Sequence, residues 1–204
     1  QLYKGVKLNK QLIAQKKSLE QRVTHDALTG LFNRPAIFDI LHKQISRAKR
    51  GGLGIAIIMI DIDHFKTIND TCGHLTGDTV LCEIADRLTK SARSHEYIGR
   101  YGGEEFLAIV SPYDQAGALK AAERFRNAIA CQEINANQTL IPVTISLGVA
   151  ISTEQETLDE NLLLQRADEA LYLAKHKGRN RVELASTHDT KDCVESRKSS
   201  DLNN

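Results

Sequence analysis

The sequence predicts an α+β domain: a central, mostly antiparallel five-stranded sheet with helices packed over it, preceded by an N-terminal helical stalk. Three observations lead there. Ile55 to Ile62 is a short isoleucine-rich run, apolar on both faces, which reads as a central strand covered on both sides. Gly102-Gly103 stands between Tyr101 and the β-prone run Phe106 to Val110. It reads as a hairpin turn joining two antiparallel strands, its glycines supplying positive φ. Around these runs, apolar residues recur at helical spacing in four stretches, which supply the covering helices.

Gln1 to Val23 is polar and helix-prone, with Leu8, Leu12, Leu19 and Val23 within an arc of about 60° at 100° per residue. That narrow stripe is either a solvated lead-in helix or the end of a dimeric stalk that carries a signal from an upstream module. Because the chain starts at Gln1, it reads as a piece of a longer protein. In Thr24 to Arg34, Asp26 and Thr29 form a turn, Gly30 breaks the stalk, and Asn33 caps the helix that Pro35 opens. Ile37, Ile40, Leu41, Ile45 and Ala48 line that helix to about Gly51. After the central strand, His64 to Asp70 reads as a short helical turn. The helix that buries Val80, Leu81, Ile84, Ala85 and Leu88 can be capped by Thr76 or Asp78. Arg93 to Ile98 leads into the first hairpin arm. Ala116 to Cys131 and Leu162 to Lys177 read as helices, Pro142 to Ala150 and Arg181 to Ala185 as strands. From Ser186 onward the chain is polar enough to be a disordered tail. The division is therefore 1–23 stalk, 24–185 folded domain and 186–204 tail.

With 204 residues, 41% apolar and 26% charged, the chain can bury one sizeable core as a soluble domain with appendages. A net charge of +1 gives no broad electrostatic footprint for nucleic acid, but leaves room for a small anionic ligand. The four cysteines (Cys72, Cys82, Cys131, Cys193) show neither paired metal-ligand spacing nor disulfide-scaffold density, which suits a reduced cytoplasm. No run has transmembrane length. Membrane tethering of a longer protein through its N-terminal part stays open.

Chemistry gathers at two places. Glu104 and Glu105 begin the second hairpin arm beside a turn without side chains, where a bulky polar ligand can approach and a hard cation can bind. By strand alternation they point to opposite faces and have different jobs. The other reading is a surface hairpin with solvated acids. Asp61 and Asp63 end the central strand, a common place for chemistry in sheets of this kind. The free N–H groups of the following turn, together with Lys66, can cradle phosphates. Asp61 can equally be only a cap on that turn. Lys175 and Arg179 sit at a helix C-terminus closed by Gly178, where basic residues suit the dipole without any ligand.

Gly102-Gly103-Glu104-Glu105-Phe106 is a variant of the signature that names the GGDEF family, the diguanylate cyclases. The chain resembles that family from about Thr24 to Ala185, including the lead-in pattern Asp-x-Leu-Thr-Gly-Leu-x-Asn-Arg. The resemblance implies a sheet similar to the palm of class III nucleotide cyclases, where carboxylates on adjacent strands hold metal for attack of a 3′-hydroxyl on an α-phosphate. It implies Asp61 and Glu104 as metal carboxylates with the Ile62 carbonyl as a further ligand. Glu105 is then either a second metal ligand or an aid to deprotonating the 3′-hydroxyl. Lys66, Lys175, Arg179 and the Phe65 backbone match the phosphate-binding positions. Asn69 and Asp78 match the guanine readers, and Gly102 and Gly103 leave space for ribose and α-phosphate.

The implied reaction is 2 GTP → cyclic di-GMP + 2 pyrophosphate, with Mg²⁺, or Mn²⁺ in its place, and two domains of a homodimer meeting face to face. The competing reading is a catalytically silent module that binds GTP or cyclic di-GMP; such relatives usually lose a signature acid or a phosphate-binding base, and this chain keeps both. One departure stands out. Where many relatives carry Arg-x-x-Asp as a product-binding inhibitory site, this chain reads Arg93-Ser94-His95-Glu96. Arg93 and Glu96 are then a degenerate product site with weak or absent inhibition, or a mere surface ion pair.

Overall fold

The structure is a computed structural model that describes residues 23–51, 54–111, 114–136, 139–152 and 159–186. The expected stalk up to residue 22 and the expected tail from residue 187 lie outside the described residues. Element order is α1 (Arg34–Gly51), β1 (Ile55–Ile62), α2 (Phe65–Cys72), α3 (His74–Ser91), β2 (Glu96–Arg100), β3 (Glu105–Val110), α4 (Gln115–Ala130), β4 (Ile134–Ala136), β5 (Thr139–Ile141), β6 (Ile145–Ser152), α5 (Glu160–His176) and β7 (Val182–Leu184).

Five strands form the main sheet in the order β2-β3-β1-β6-β7. β1 is central and antiparallel to both neighbours, β2 and β3 form the expected hairpin, and β7 joins β6 in parallel. Every residue of β1 is buried, and its alternation explains why the sequence shows no polar face. Ile55, Ile57 and Met59 pack with Ile37, Leu41 and Ile45 of α1 and Leu163, Ala167 and Leu171 of α5. Ala56, Ile58, Ile60 and Ile62 pack with Val80, Ile84 and Leu88 of α3 and Phe125 of α4. Each fully buried isoleucine of this strand stabilises the fold by about 1.5–3 kcal/mol. α5 lies directly on β6 because position 148 is glycine. A Cβ there would sit 2.1 Å from the Ala167 carbonyl oxygen and 2.2 Å from the Leu171 nitrogen.

Local signals at the start of the domain work as expected. Asn33 Oδ1 accepts from the Ala36 N–H at 3.1 Å to cap α1. Asp26 Oδ1 accepts from the Thr29 N–H and hydroxyl at 2.9 and 2.7 Å. One expectation fails. α3 starts at His74 after Gly73, with no side-chain cap. Thr76 is already inside it, donating back to the Cys72 carbonyl at 2.8 Å, so neither Thr76 nor Asp78 caps. The separate β4–β5 hairpin is an addition to the expected strands. Among the described residues no helix is long and apolar enough to cross a membrane.

Candidate active site

The register of the central strands brings the signature to the end of β1. Asp61 lies opposite Glu105 of β3 on one side and Ser146 of β6 on the other. The Ile62 N–H donates to the Glu104 carbonyl at 3.4 Å. Following the alternation of β1, Asp61 falls on the α5 face, where Lys175 Nζ meets its Oδ2 at 2.8 Å. Asp61 is only 5% exposed.

The electrostatics of this corner are crowded. Burial pushes the Asp61 carboxyl above its ordinary range, against the hydrogen bond and charge of Lys175, while Asp63 adds repulsion and Arg179 relieves some of it. Glu104 is also raised, first by burial and then by the Asp61 charge, with Lys175 pulling the other way. Two carboxylates thus compete for one ammonium. A divalent cation would remove that conflict, and hard oxygen donors suit Mg²⁺, which is commonly held by one or two carboxylates plus substrate phosphates. Among the described residues no three His, Cys, Asp or Glu side chains could hold a metal by themselves, so the remaining ligands would have to be backbone, water or substrate. The donor set fits that arrangement.

The signature turn differs from expectation in its backbone. Positive φ among the described glycines occurs only at Gly30, Gly73 and Gly178, so Gly102 and Gly103 are not needed for φ. Tyr101 and Gly102 both donate to the Glu105 carbonyl, at 2.8 and 3.2 Å. Glycine at 102 serves space: a Cβ would lie 2.6 Å from Glu105 Oε2, so the carboxylate can cross the turn. Nothing lies within 4 Å of a Cβ placed at Gly103, which leaves the turn open to a ligand.

A second group gathers around α2 and the start of α3. Phe65 is buried and Lys66 is exposed on the first turn of α2, which has no side-chain cap. Gly77 lets Asn69 fold over α3, because a Cβ there would overlap Asn69 Oδ1 at 1.9 Å and touch the Phe65 ring at 3.3 Å. Asp78, next in sequence, is exposed. Arg179 is exposed beyond α5 in a left-handed conformation, φ 62°. That conformation costs about 1 kcal/mol or more for a non-glycine residue.

The remaining expected pair lies elsewhere. Glu96 is level with Val110 and hence with Ala56, five residues from Asp61 along β1, or about 17 Å at ~3.3 Å per residue. Its side chain is 0% exposed and bound by Arg124 Nη2 at 2.5 Å. The Arg93 backbone N–H donates to the same carboxylate at 2.8 Å. The surface part of the ion-pair reading is corrected: Glu96 is buried, and Arg124 reaches its carboxylate.

Several supporting residues escape a reading of the sequence. Arg100 donates to the Gly103 carbonyl at 2.7 and 3.2 Å and meets Asp26 Oδ1 at 3.1 Å, tying the lead-in turn to the signature turn. Burial opposes ionisation of Asp26, but the bonds from Thr29 and Arg100 outweigh it and hold its carboxyl low. Arg34 lies over the Tyr101 ring, 4.8 Å from its centroid. Arg100 stands two residues before the signature, the one signal that could have flagged it.

Comparisons with known proteins bear on the family and the fold. The sequence model of the family described as "Diguanylate cyclase, GGDEF domain" matches residues 23–181. The chain is 40% identical over 160 residues to Diguanylate cyclase DosC of Escherichia coli K12, covering 78% of this chain and 34% of DosC. It is 44% identical over 167 residues to Response regulator PleD of Caulobacter vibrioides NA1000, covering 81% of this chain and 36% of PleD. The chain thus spans about a third of the length of these relatives. The coiled coil and GGDEF domain of DgcB from Caulobacter crescentus, solved in complex with c-di-GMP, superposes with a TM-score of 0.80 at 32% identity, covering 90% of this chain and 97% of that one. The chain belongs to the GGDEF-domain diguanylate cyclase family.

Proposed function

We propose that this domain condenses two GTP molecules into cyclic di-GMP and two pyrophosphates, each protomer of a face-to-face homodimer presenting one GTP. The carrying observation is the crowding of Asp61 and Glu104 around Lys175 at the end of β1. A purely structural corner gains nothing from two like charges drawn together, one of them buried. A site for a divalent cation and a triphosphate requires them.

In this reading Asp61, Glu104 and the Ile62 carbonyl hold Mg²⁺, or Mn²⁺ in its place. When bound, the cation offsets charge on the α-phosphoryl oxygens and the leaving pyrophosphate. Lys66, the Phe65 backbone, Lys175 and Arg179 hold the β- and γ-phosphates. Asn69 and Asp78 read guanine, because a carboxylate accepts from its N1–H and N2–H₂ while adenine would leave that acceptor unpaired. The open Gly102–Gly103 turn admits ribose and α-phosphate, and Glu105 either joins the metal or helps to remove the 3′-hydroxyl proton. In each half-reaction a 3′-oxygen bonds to the partner's α-phosphorus, and the bond from that phosphorus to the pyrophosphate oxygen breaks. Bringing the two GTPs together supplies much of the rate. The substrate places the domain in the cytoplasm, with an upstream sensory module setting how often two copies meet.

The test is incubation with GTP and Mg²⁺, with products resolved by mass, over a range of protein concentrations. Cyclic di-GMP should form, at a specific activity that rises with concentration. Bound but unconverted GTP would favour a silent binding module, and activity flat to high dilution would contradict the transient dimer.

A further inference from the structure

Asp63 stands two residues beyond Asp61 and is engaged quite differently. It is 5% exposed. Its Oδ1 accepts from the Ser146 hydroxyl at 2.6 Å. Its Oδ2 accepts from the Thr144 hydroxyl at 2.7 Å and from the backbone N–H of Asn180 at 3.0 Å. Two donors come from β6 and its approach, and the third from the turn that follows α5. With three donors in place, most of the carboxylate's acceptor capacity is taken up by the protein itself.

That turn is unusual. Gly178, Arg179 and Asn180 all have positive φ, at 116°, 62° and 45°. Two non-glycine residues in succession keep such a conformation only where their surroundings over-determine it. A second anchor supplies the rest. Arg126 of α4 donates from Nη1 to Asn180 Oδ1 at 2.8 Å and to the Asn180 carbonyl at 3.5 Å. It is braced in turn by Glu123 at 2.9 Å and by Asn127 Oδ1 at 2.7 Å. The Arg179 N–H donates to the Ala174 carbonyl at 3.0 Å, and the Arg181 guanidinium donates to the Lys177 carbonyl. Asn180 is thus gripped at its amide from the sheet and at its side chain and carbonyl from α4, immediately after Arg179.

We infer that Asp63 and Arg126 are positioning residues for the triphosphate grip: together they fix the left-handed turn after α5 that presents Arg179 to the β- and γ-phosphates. The inference rests on the proposed role of Arg179 in binding GTP. Neither anchor touches substrate, so their loss should act on triphosphate affinity and spare the reading of guanine.

The experiment is equilibrium binding of GTP and of GMP with Mg²⁺ to the wild type, Arg126→Met, Asp63→Ala, Asp63→Asn, Arg179→Ala and Arg126→Met/Arg179→Ala, with melting curves for each. Arg126 is half-buried on α4 and methionine keeps its aliphatic stem, so its variant tests the inference even if Asp63→Ala fails to fold. Arg126→Met should weaken GTP about tenfold and leave GMP unchanged. It should add nothing once Arg179 is gone. Asp63→Asn should rescue most of the loss seen in Asp63→Ala, because its oxygen can still accept from Asn180 while the Ser146 hydroxyl turns to accept from its amide. A folded Arg126→Met that binds GTP like the wild type would overturn the inference, as would an equal loss for GMP or losses that multiply with Arg179→Ala. Wild type that binds no GTP would bring down the proposed function as well, whereas normal wild-type binding with unaffected variants sinks only the positioning role.

Discussion

Two corners of the main sheet hold acids in opposite conditions. At one corner Asp61 and Glu104 share Lys175 and repel each other, and both carboxyls are pushed up. At the other, on β2 and about 17 Å further along the strand direction at ~3.3 Å per residue, Glu96 has a fully buried side chain matched by Arg124 and the Arg93 amide. Burial alone therefore does not mark a functional acid. What separates the two corners is whether the protein itself completes the partner set. In the proposed function the completed acid is structural, and the crowded pair is the one that a cation and a triphosphate engage.

The first prediction concerns what the unsatisfied corner recognises. Asp78→Ala should lower the preference for GTP over ATP by about 10- to 100-fold, since guanine's donors lose a charged acceptor. Melting should barely change, because Asp78 is exposed and caps nothing. Unchanged nucleotide preference in competition kinetics would remove Asp78 from the site.

The satisfied corner should respond to product only weakly. With its carboxylate engaged by Arg124, Glu96 is not available to a guanine edge, and losing one charge-assisted hydrogen bond weakens binding about 10- to 100-fold. Initial rates with added cyclic di-GMP should fall little at concentrations comparable to GTP. Strong inhibition well below that range, abolished by Arg93→Ala, would show that the Glu96 corner still works as a ligand site.

The smallest effect concerns pH. The folded-state pKa of Glu104 is raised from an ordinary 4.5, first by burial and then by Asp61. Its ionisation therefore costs stability at neutral pH, and that cost vanishes as pH falls through the raised value toward 4.5. Glu104→Gln should melt at the same temperature as the wild type or slightly higher near pH 7, with the gap closing on acidification. A lower melting temperature at pH 7 would mean that Glu104 is a structural acid like Glu96.

How legible this was depended on distance along the chain. β1 and the β2–β3 hairpin follow from local patterns, as do the Asn33 cap and the helical stripes. The sheet then carried the signature acids to Asp61, because residues opposite each other in register must meet. What the sequence hid were partners chosen by the fold. Arg124 reaches Glu96 from 28 residues away and Arg100 reaches Asp26 from 74. Asn180 reaches Asp63 from 117. No local pattern encodes such pairs. The Gly102–Gly103 turn misled for a different reason: adjacent glycines suggest positive φ, while here they provide room for the Glu105 carboxylate and an open approach. The three-residue strands β4 and β5 are too short for alternation to show.

The most direct measurement is a crossed one: turnover per folded molecule and melting temperature, for Glu104→Gln and Arg124→Ala side by side with Mg²⁺ and saturating GTP. Glu104→Gln should lose turnover by about 1,000-fold while keeping its melting temperature. Arg124→Ala takes the guanidinium from a buried carboxylate and should cost about 3 kcal/mol, or about 6–12 °C in a domain of this size, with turnover per folded molecule unchanged. Near wild-type turnover in Glu104→Gln, or the same pattern of losses in both variants, would contradict the assignment of chemistry to one corner of the sheet and structure to the other.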